Sequence, residues 1–430
     1  MKAILLGAGG REAIIAKELI KDFELYAYMS HANPTIIKTV KQSGGNYIID
    51  KTYDENRIRD FINNNEIEFC ICNNDDLLEK GIIDIAKDCR LYTFGPTKEG
   101  SRIEWDKAFA TELIKKVAPE TLVQTKIINS SDELIDTINN YEDPSFVVKP
   151  NGLTGGKGVK VGGVHFSSKK EGLDYANQCL EKDGCVIVQD KMIGHEFTIM
   201  GFTNGTDLVL APCTYDHPYR FDGDKGPGTG GMGCTSYSDG LLPFLDKTDI
   251  EKCRDVMLKS IKEINKDGII FNGVLNAGFF KTDKEILFME FNSRLGDPEA
   301  LNVLSVMDTP FSKVAFDIAM GKTLNTSNCN FKPIASYVVY VVSKNYAINP
   351  TAQPIEFSID ENLLNNGIAD LYCSSMQPTT DGKYSSVGNS RLFALVKTGE
   401  DLEKIKTDTS PNKDQTAAIQ KLRAAFFEDF

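Results

Sequence analysis

The chain has 430 residues, of which 41% are hydrophobic and 25% charged, with a formal net charge of −13. That length exceeds what one hydrophobic core usually serves, so several domains are expected. The acidic balance argues against general binding along a nucleic-acid backbone, which needs a basic surface, and leaves room for a local basic cleft that takes a nucleotide. No apolar run approaches the length of a membrane span. The opening MKAILLGAGGRE has too short an apolar stretch for a secretory segment and lacks a small-residue cleavage site. Ten cysteines are scattered without a CxxC pair, Cys70 and Cys72 being the only close ones. Reduced thiols in a cytoplasmic protein are therefore expected, rather than disulfides or zinc.

The first hundred or so residues alternate strand and helix signals. KAILLG, ELYAYM, NYIID, EFCICN and LYTFG read as strands. REAIIAKELIKD, NPTIIKTVKQ, YDENRIRDFINNN and LLEKGIIDIAKD read as the helices around them. Such alternation with short linkers predicts a doubly wound parallel sheet, with a boundary at Gly95–Thr97. DKAFATELIKKV predicts a helix that Ala118–Pro119 ends. From about 120 to 190 follows a small α+β unit in which SFVVKP, a glycine-rich loop and VKVGGV lead to the helix KEGLDYANQCL and the strand CVIVQD. Beyond 190 come antiparallel strands, a long helix around 248–266 and the segment NGVLNAGFFKTDKEILFMEFN. Weak strands and a last helix, QTAAIQKLRAAFFEDF, close the chain.

Four stretches carry chemistry. GAGGRE, Gly7–Glu12, follows a strand and opens a helix, whose free N–H groups and positive dipole end suit an anion. It reads either as a tight turn that needs glycine or as a phosphate site. A redox dinucleotide is disfavoured, since YMSH stands where an acidic residue would meet the ribose. KPNGLTGGKGV, Lys149–Val159, lies between two strands and lacks the ending of a P-loop, so it is either a hairpin tip or a loop that covers phosphates. In MEFNSRLGDPE, Met289–Glu299, Glu290 and Asn292 sit at i and i+2 of a strand and face one side. Two oxygen ligands there suit magnesium shared with phosphates, and Arg294 could hold a carboxylate or a phosphoryl group. DGDKGPGTGGMG, Asp222–Gly233, is either a surface loop or one that a ligand approaches closely. Together the four fit phosphoryl transfer from a nucleoside triphosphate to a carboxylate. No Ser–His–Asp or Cys–His arrangement competes.

These motifs resemble the ATP-grasp superfamily, and within it the phosphoribosylamine–glycine ligase family, over nearly the whole length. GAGGRE is similar to its G-x-GGRE, KPNGLTGGKGV to K-x-DGL-x-x-GKGV, GPGTGGMG to GPNTGGMG, and EFNSRLGDPE to EFN-x-RxGDPE. The resemblance implies an α/β and α+β multidomain chain. An N-terminal doubly wound parallel sheet (the pre-ATP-grasp domain, 1–103) precedes an ATP-grasp fold (104–325, with 120–190 as a small lid subdomain) and a small C-terminal α+β domain (326–430). It implies ATP and Mg2+, with Mn2+ able to stand in, and small-molecule substrates: glycine, phosphorylated to an acyl phosphate, and the amine of phosphoribosylamine. It implies no nucleic-acid or membrane partner, and a monomer or weak homodimer.

Carried over by position, the resemblance places Lys107, Lys149, Gly155, Gly156, Lys157 and Gly158 at the ATP phosphates. It places Gln189, Asp190 and Met192 at adenine and Glu196 at the ribose hydroxyls. Glu290 and Asn292 would bind the metal; Arg294, Asp297 and Lys157 would serve catalysis. Gly9, Gly10, Arg11, Glu12, Asp216, Gly230, Gly231, Asp297, Pro298 and Glu299 would face the substrates. The departures fall towards the amine substrate: Ala13–Ile14 after GGRE, SHANPT at Ser30–Thr35 for a P-G-N loop, Asp75 for a glutamate, Pro218–Tyr219 for Lys-Arg, and VGNSRLF for NGGRVL. They leave two further readings: a diverged carboxylate–amine ligase acting on another amino acid or ribosyl amine, and a non-catalytic nucleotide-binding module. Phosphate donors for the ribosyl amine are expected at the helix after Gly7, with Arg11, His31 and Asn33 nearby.

Overall fold

The computed structural model describes residues 1–155, 158–223, 225–348, 353–359 and 369–409. Its first unit is a five-stranded sheet of order β3-β2-β1-β4-β5, in which every pair is parallel. The strands are β1 (Lys2–Leu6), β2 (Glu24–Met29), β3 (Tyr47–Ile49), β4 (Phe69–Cys72) and β5 (Tyr92–Phe94). Alternation decides the faces. Ala3, Leu5, Leu25, Ala27, Phe69 and Ile71 enter one core, and Ile4, Leu6, Tyr26, Tyr28, Cys70 and Cys72 the other. Helices α1 (Gly10–Leu19) and α2 (Pro34–Ser43) cover the first face, and α3 (Glu55–Asn64), α4 (Asp75–Glu79) and α5 (Ile82–Asp88) the second. LLEKGIIDIAKD, expected as one helix, is split, because Gly81 takes a left-handed φ of 82° between α4 and α5.

Helices α6 (Lys98–Trp105) and α7 (Lys107–Val117) lead into a four-stranded antiparallel unit of order β6-β9-β7-β8. It comprises β6 (Thr125–Ile128), α8 (Ser131–Asn139), β7 (Phe146–Pro150), the two-residue β8 (Lys160–Val161), α9 (Lys169–Asp183) and β9 (Val186–Asp190). The next sheet has the order β11-β10-β16-β17, with β10 (His195–Thr203) and β11 (Leu208–Leu210) joined by β16 (Gly273–Lys281) and β17 (Ile286–Asn292). Helices α7 and α10 (Lys247–Ile264) share its apolar core. Between β11 and α10 run the short strands β12 (Tyr215–Asp216), β13 (Tyr219–Phe221), β14 (Lys225–Gly228) and β15 (Gly233–Ser236). Thr97 fastens this body to the first unit by donating from both N–H and Oγ1 to the Ile270 carbonyl, each at 3.1 Å.

After α11 (Glu299–Ser305) and α12 (Phe311–Ala319), the chain adds β18 (Ala335–Val341), β19 (Glu356–Phe357), β20 (Asp370–Cys373), β21 (Met376–Pro378), β22 (Tyr384–Ser386), β23 (Phe393–Gly399) and α13 (Leu402–Thr409). One sheet of order β12-β15-β18-β23-β20 crosses residue 325, so the last segment shares a sheet with strands that precede it. It also clasps the first unit. Asn33 Nδ2 donates to the Ala8 and Cys373 carbonyls, each at 2.8 Å, and the Gly10 N–H donates to Ser374 Oγ at 3.2 Å. The helix expected at QTAAIQKLRAAFFEDF lies outside the described residues. Among the described residues no helix is long and apolar enough to cross a membrane.

Candidate active site

β17 is an edge strand of its sheet and meets β7 through the Lys149 side chain. β17 carries a bulge: Gly278 pairs with Glu290 and Phe279 with Phe288, which leaves Met289 extra. Lys149 on β7 is buried, and its Nζ donates to the Met289 carbonyl at 2.9 Å. Glu290 and Asn292 share a half-buried face of β17, while Phe291 between them is buried. Lys107, at the start of α7, donates from Nζ to the Gly152 carbonyl at 2.8 Å. Burial pushes the Lys149 amine down to about 8, Glu290 and Glu196 opposing and Lys107 assisting. Two lysines and two carboxylates therefore act on one another where the sequence places the phosphates. Glu196 lies open on β10; lost hydration and the Glu290 carboxylate push it up to about 7, and its openness to solvent screens that shift. Gln189 is buried on β9, and Asp190 accepts from the Tyr141 hydroxyl. Met192 is half-buried just beyond. In the glycine-rich loop the Gly158 carbonyl accepts from the Tyr175 hydroxyl at 2.6 Å, and Gly155 has a φ of 58°. Gly156 and Lys157 lie outside the described residues.

The Lys149 shift gives a first expected outcome. Below about 8 the buried ammonium costs stability; the cost is relieved as pH rises from 8 through the unfolded value near 10.5. A polyphosphate bound beside this amine would restore the charge. Nucleotide binding near pH 9 should therefore take up a proton, approaching about one per site. Calorimetry in buffers of different ionisation enthalpy measures it, and Lys149→Met should abolish the uptake.

Arg294 follows β17. Its Nη2 meets Glu104 Oε1 at 2.8 Å and Asn292 Oδ1 at 3.3 Å. The other Glu104 oxygen accepts from the Ser293 N–H and Oγ, each at 2.8 Å. Burial pushes the Glu104 carboxyl up, with Arg294 opposing. Asp75, at the start of α4, faces both Arg294 and Arg11; burial would raise its carboxyl, but the two arginines outweigh it and hold it below the usual range. Arg11 is buried, with Nε on Glu12 Oε1 at 2.9 Å and Nη1 on the Leu295 carbonyl at 2.8 Å. Glu12 caps its own helix by accepting from the Gly9 N–H at 2.8 Å. His31 and Asn33, expected as phosphate donors, are buried and bonded to main chain: His31 Nε2 to the Ser374 carbonyl at 2.9 Å, Asn33 as described above. Their work in this fold is docking of the last segment.

Asp216, Gly230, Gly231, Asp297, Pro298 and Glu299 come together around Arg391 and the Gly230–Gly231 turn. Gly231 has a φ of 96°, and a Cβ there would stand 2.5 Å from Pro298 Cδ and 2.8 Å from Asp216 Oδ1, so the loop accepts only glycine. Asp216 Oδ1 is buried without a partner. Burial first, then Glu299, pushes its carboxyl well above the usual range; Arg391 opposes. Glu299 is buried and likewise raised by burial. Both Asp297 oxygens are taken: Oδ1 accepts from the Tyr340 hydroxyl at 2.6 Å, and Oδ2 pairs with Arg391 Nη2 at 3.0 Å. Sequence reasoning missed Glu104, Tyr340 and Arg391. Only Arg391 had a signal, its place in VGNSRLF; the other two sit in ordinary helix and strand patterns.

Residues 1–104 match the family described as phosphoribosylglycinamide synthetase, N domain, and residues 105–300 its ATP-grasp (A) domain. A phosphoribosylamine–glycine ligase of Thermococcus kodakarensis is 34% identical over 427 residues, covering 99% of this chain and 94% of that protein. The protein of that name from Methanopyrus kandleri is 34% identical over 412 residues, covering 94% and 90%. The crystal structure of phosphoribosylamine–glycine ligase from Thermotoga maritima superposes with a TM-score of 0.77 at 23% identity, covering 95% of each chain. An N5-carboxyaminoimidazole synthase from Aspergillus clavatus, in complex with ADP and an aminoimidazole ribonucleotide, shares the fold with a TM-score of 0.65 at 11% identity, covering 95% and 97%.

Proposed function

The chain belongs to the phosphoribosylglycinamide synthetase family, and from that premise we propose that it joins glycine to 5-phosphoribosylamine at the expense of ATP, the glycine-ligation step of purine biosynthesis. A glycine carboxylate oxygen attacks the γ-phosphorus of ATP, and ADP leaves. The phosphoribosylamine nitrogen then attacks the acyl carbon of glycyl phosphate, phosphate departs, and the nitrogen gives up a proton. The observation that carries this reading is that Lys107, Lys149, Glu196 and Glu290 act on one another in one place, with Arg294 bonded to Asn292 beside them. Enzymes of this chemistry need little beyond positioning and charge neutralisation.

We assign the site residues accordingly. Lys107, Lys149, Gly155 and Gly158, with Gly156 and Lys157, hold the phosphates; Gln189, Asp190 and Met192 border adenine, and Glu196 the ribose. Arg294 faces the carboxylate being phosphorylated, with Asp297 close by. Gly9, Gly10, Arg11 and Glu12 line the amine end, and Asp216, Gly230, Gly231, Pro298 and Glu299 the amino-acid end. One carboxylate and one amide oxygen on a single strand face fit magnesium, which keeps phosphate and water ligands. Among the described residues no group of three or more His, Cys, Asp or Glu could hold a metal by itself. Glu290 and Asn292 would hold it, and it would supply charge neutralisation at the phosphates. Ten free cysteines support a reducing cytoplasm. The departures in SHANPT no longer speak for another substrate, because His31, Asn33 and Thr35 bond to Ala8, Cys373 and Ser374.

The test is purified protein with ATP, Mg2+, glycine and freshly made phosphoribosylamine, followed by mass spectrometry. Glycinamide ribonucleotide is the expected product, formed in step with ADP. Turnover on another amine or amino acid with none on this pair would overturn the substrate assignment.

A further inference from the structure

We propose that Tyr340 and Arg391, both from the last sheet, are positioning residues for the amino-acid and amine end of the reaction: they hold the Gly230–Gly231 main chain and the Asp297 carboxylate in one arrangement. The proposal rests on the function given above. Arg391 is buried, and its Nη1 donates to three carbonyls: those of Gly230, of Gly231 at 3.0 Å and of Asp297 at 2.9 Å. Its Nη2 pairs with Asp297 Oδ2 at 3.0 Å. The guanidinium lies over the Tyr340 ring, 4.3 Å from the centroid, and the Tyr340 hydroxyl donates to Asp297 Oδ1 at 2.6 Å. That hydroxyl also sits against α1: a Cβ at Gly10 would come within 2.3 Å of it. One stacked pair therefore touches three motifs far apart in sequence, GAGGRE, GPGTGGMG and RLGDPE.

The geometry assigns the pair to positioning. A planar fork that spans two loops needs fixed donor directions, which lysine lacks. Arg391 meets main-chain carbonyls, which only their backbone conformation can move. Asp297 spends both oxygens on the pair, so its carboxylate cannot turn towards a ligand without breaking a charge-assisted bond. Nothing in the pair reaches the lysines of the nucleotide half: Lys107 and Lys149 bond to Gly152 and Met289. The last sheet thus supplies the part of the site that fixes where the acyl carbon and the amine meet.

The experiment compares Arg391→Lys and Tyr340→Phe with the parent chain by steady-state kinetics, binding of a non-hydrolysable ATP analogue, and amide hydrogen exchange. Arg391→Lys should lower kcat at least about tenfold, the size of one lost charge-assisted bond, with analogue affinity unchanged within about threefold. Exchange at residues 229–232 should rise while that of β7 stays as it was. Tyr340→Phe keeps the stacked ring and should show the same pattern at smaller amplitude. If analogue affinity, thermal midpoint and kcat fall together in both variants, the pair merely supports the fold and the proposal fails. A rise confined to the KM of the phosphorylated amine, with exchange unchanged, would make Arg391 a direct ligand and overturn it too. Should the parent chain make no product from phosphoribosylamine, the functional reading fails by itself, and the exchange pattern still decides the positioning role.

Discussion

Glu290→Gln is expected to abolish turnover, lowering phosphate release by at least about a hundredfold, while a nucleotide still binds. The substitution keeps the shape and the hydrogen-bonding face of β17 but removes the one formal charge of the Glu290–Asn292 pair. A second neutral amide beside Asn292 brings no charge to offset the cation, and the lost charge neutralisation falls on the transferring phosphoryl group, where electrostatic stabilisation is worth several kcal/mol. A second consequence separates this cause from misfolding. Glu290 is the foremost of the charges that oppose the burial of Lys149, so its loss should move that amine further down. The proton taken up with the nucleotide should then begin at lower pH than in the parent chain. Phosphate release at limiting Mg2+, calorimetric nucleotide binding and the pH course of proton uptake measure the three effects. Near-normal phosphate release at limiting Mg2+ would remove Glu290 from the metal site.

The parallel sheet and the β10–β17 sheet were legible because their signals are local. Period-two alternation divides Ala3, Leu5 and Ile4, Leu6 between two cores, and i, i+2 spacing alone predicts that Glu290 and Asn292 share a face. What the sequence hides is long-range. Gly81 looks like any residue of a helical run until its left-handed φ splits it. His31 and Asn33 read as polar loop residues open to a ligand; each bonds to a carbonyl more than 300 positions away, Asn33 to Ala8 as well, and only the folded chain shows those donors already spent. Asp297 was visible in RLGDPE, but its two holders come from β18 and from the turn before β23, where nothing local distinguishes a site tyrosine from a core tyrosine. Buried polar networks of this kind are specified by tertiary pairing, which composition and periodicity do not record.

Glu104→Gln is expected to lower kcat roughly ten- to a hundredfold with little change in the KM for ATP. Glu104 stands in a helical run on α6 and touches no proposed substrate position, so its effect must pass through Arg294. In the parent chain one buried carboxylate serves three donors: Ser293 N–H, Ser293 Oγ and Arg294 Nη2. A glutamine has one acceptor oxygen, and its amide hydrogens would face a donor on whichever side the oxygen is not. If the oxygen stays with Ser293, Arg294 loses its charged partner and is drawn towards Asp75, whose carboxylate it also faces. The guanidinium would then move away from the carboxylate it is proposed to face, and an interaction proposed for the transition state would be weakened; one charge-assisted bond of ~1.5–3 kcal/mol corresponds to that range. Lys107 and Lys149 have no contact with Glu104, so ATP should bind nearly as before. Stability should fall as well, since removing one partner of a buried pair costs about 3–5 kcal/mol. Kinetics measured well below the variant's own unfolding temperature keep the two effects apart. Glu104→Asp is the discriminating control: it restores the charge but is one methylene short, and should recover stability only in part and kcat in proportion to the contact regained. Equal kcat in the parent and both variants would show that Arg294 needs no such support. A loss confined to the KM for ATP would place Glu104 with the nucleotide-binding residues instead.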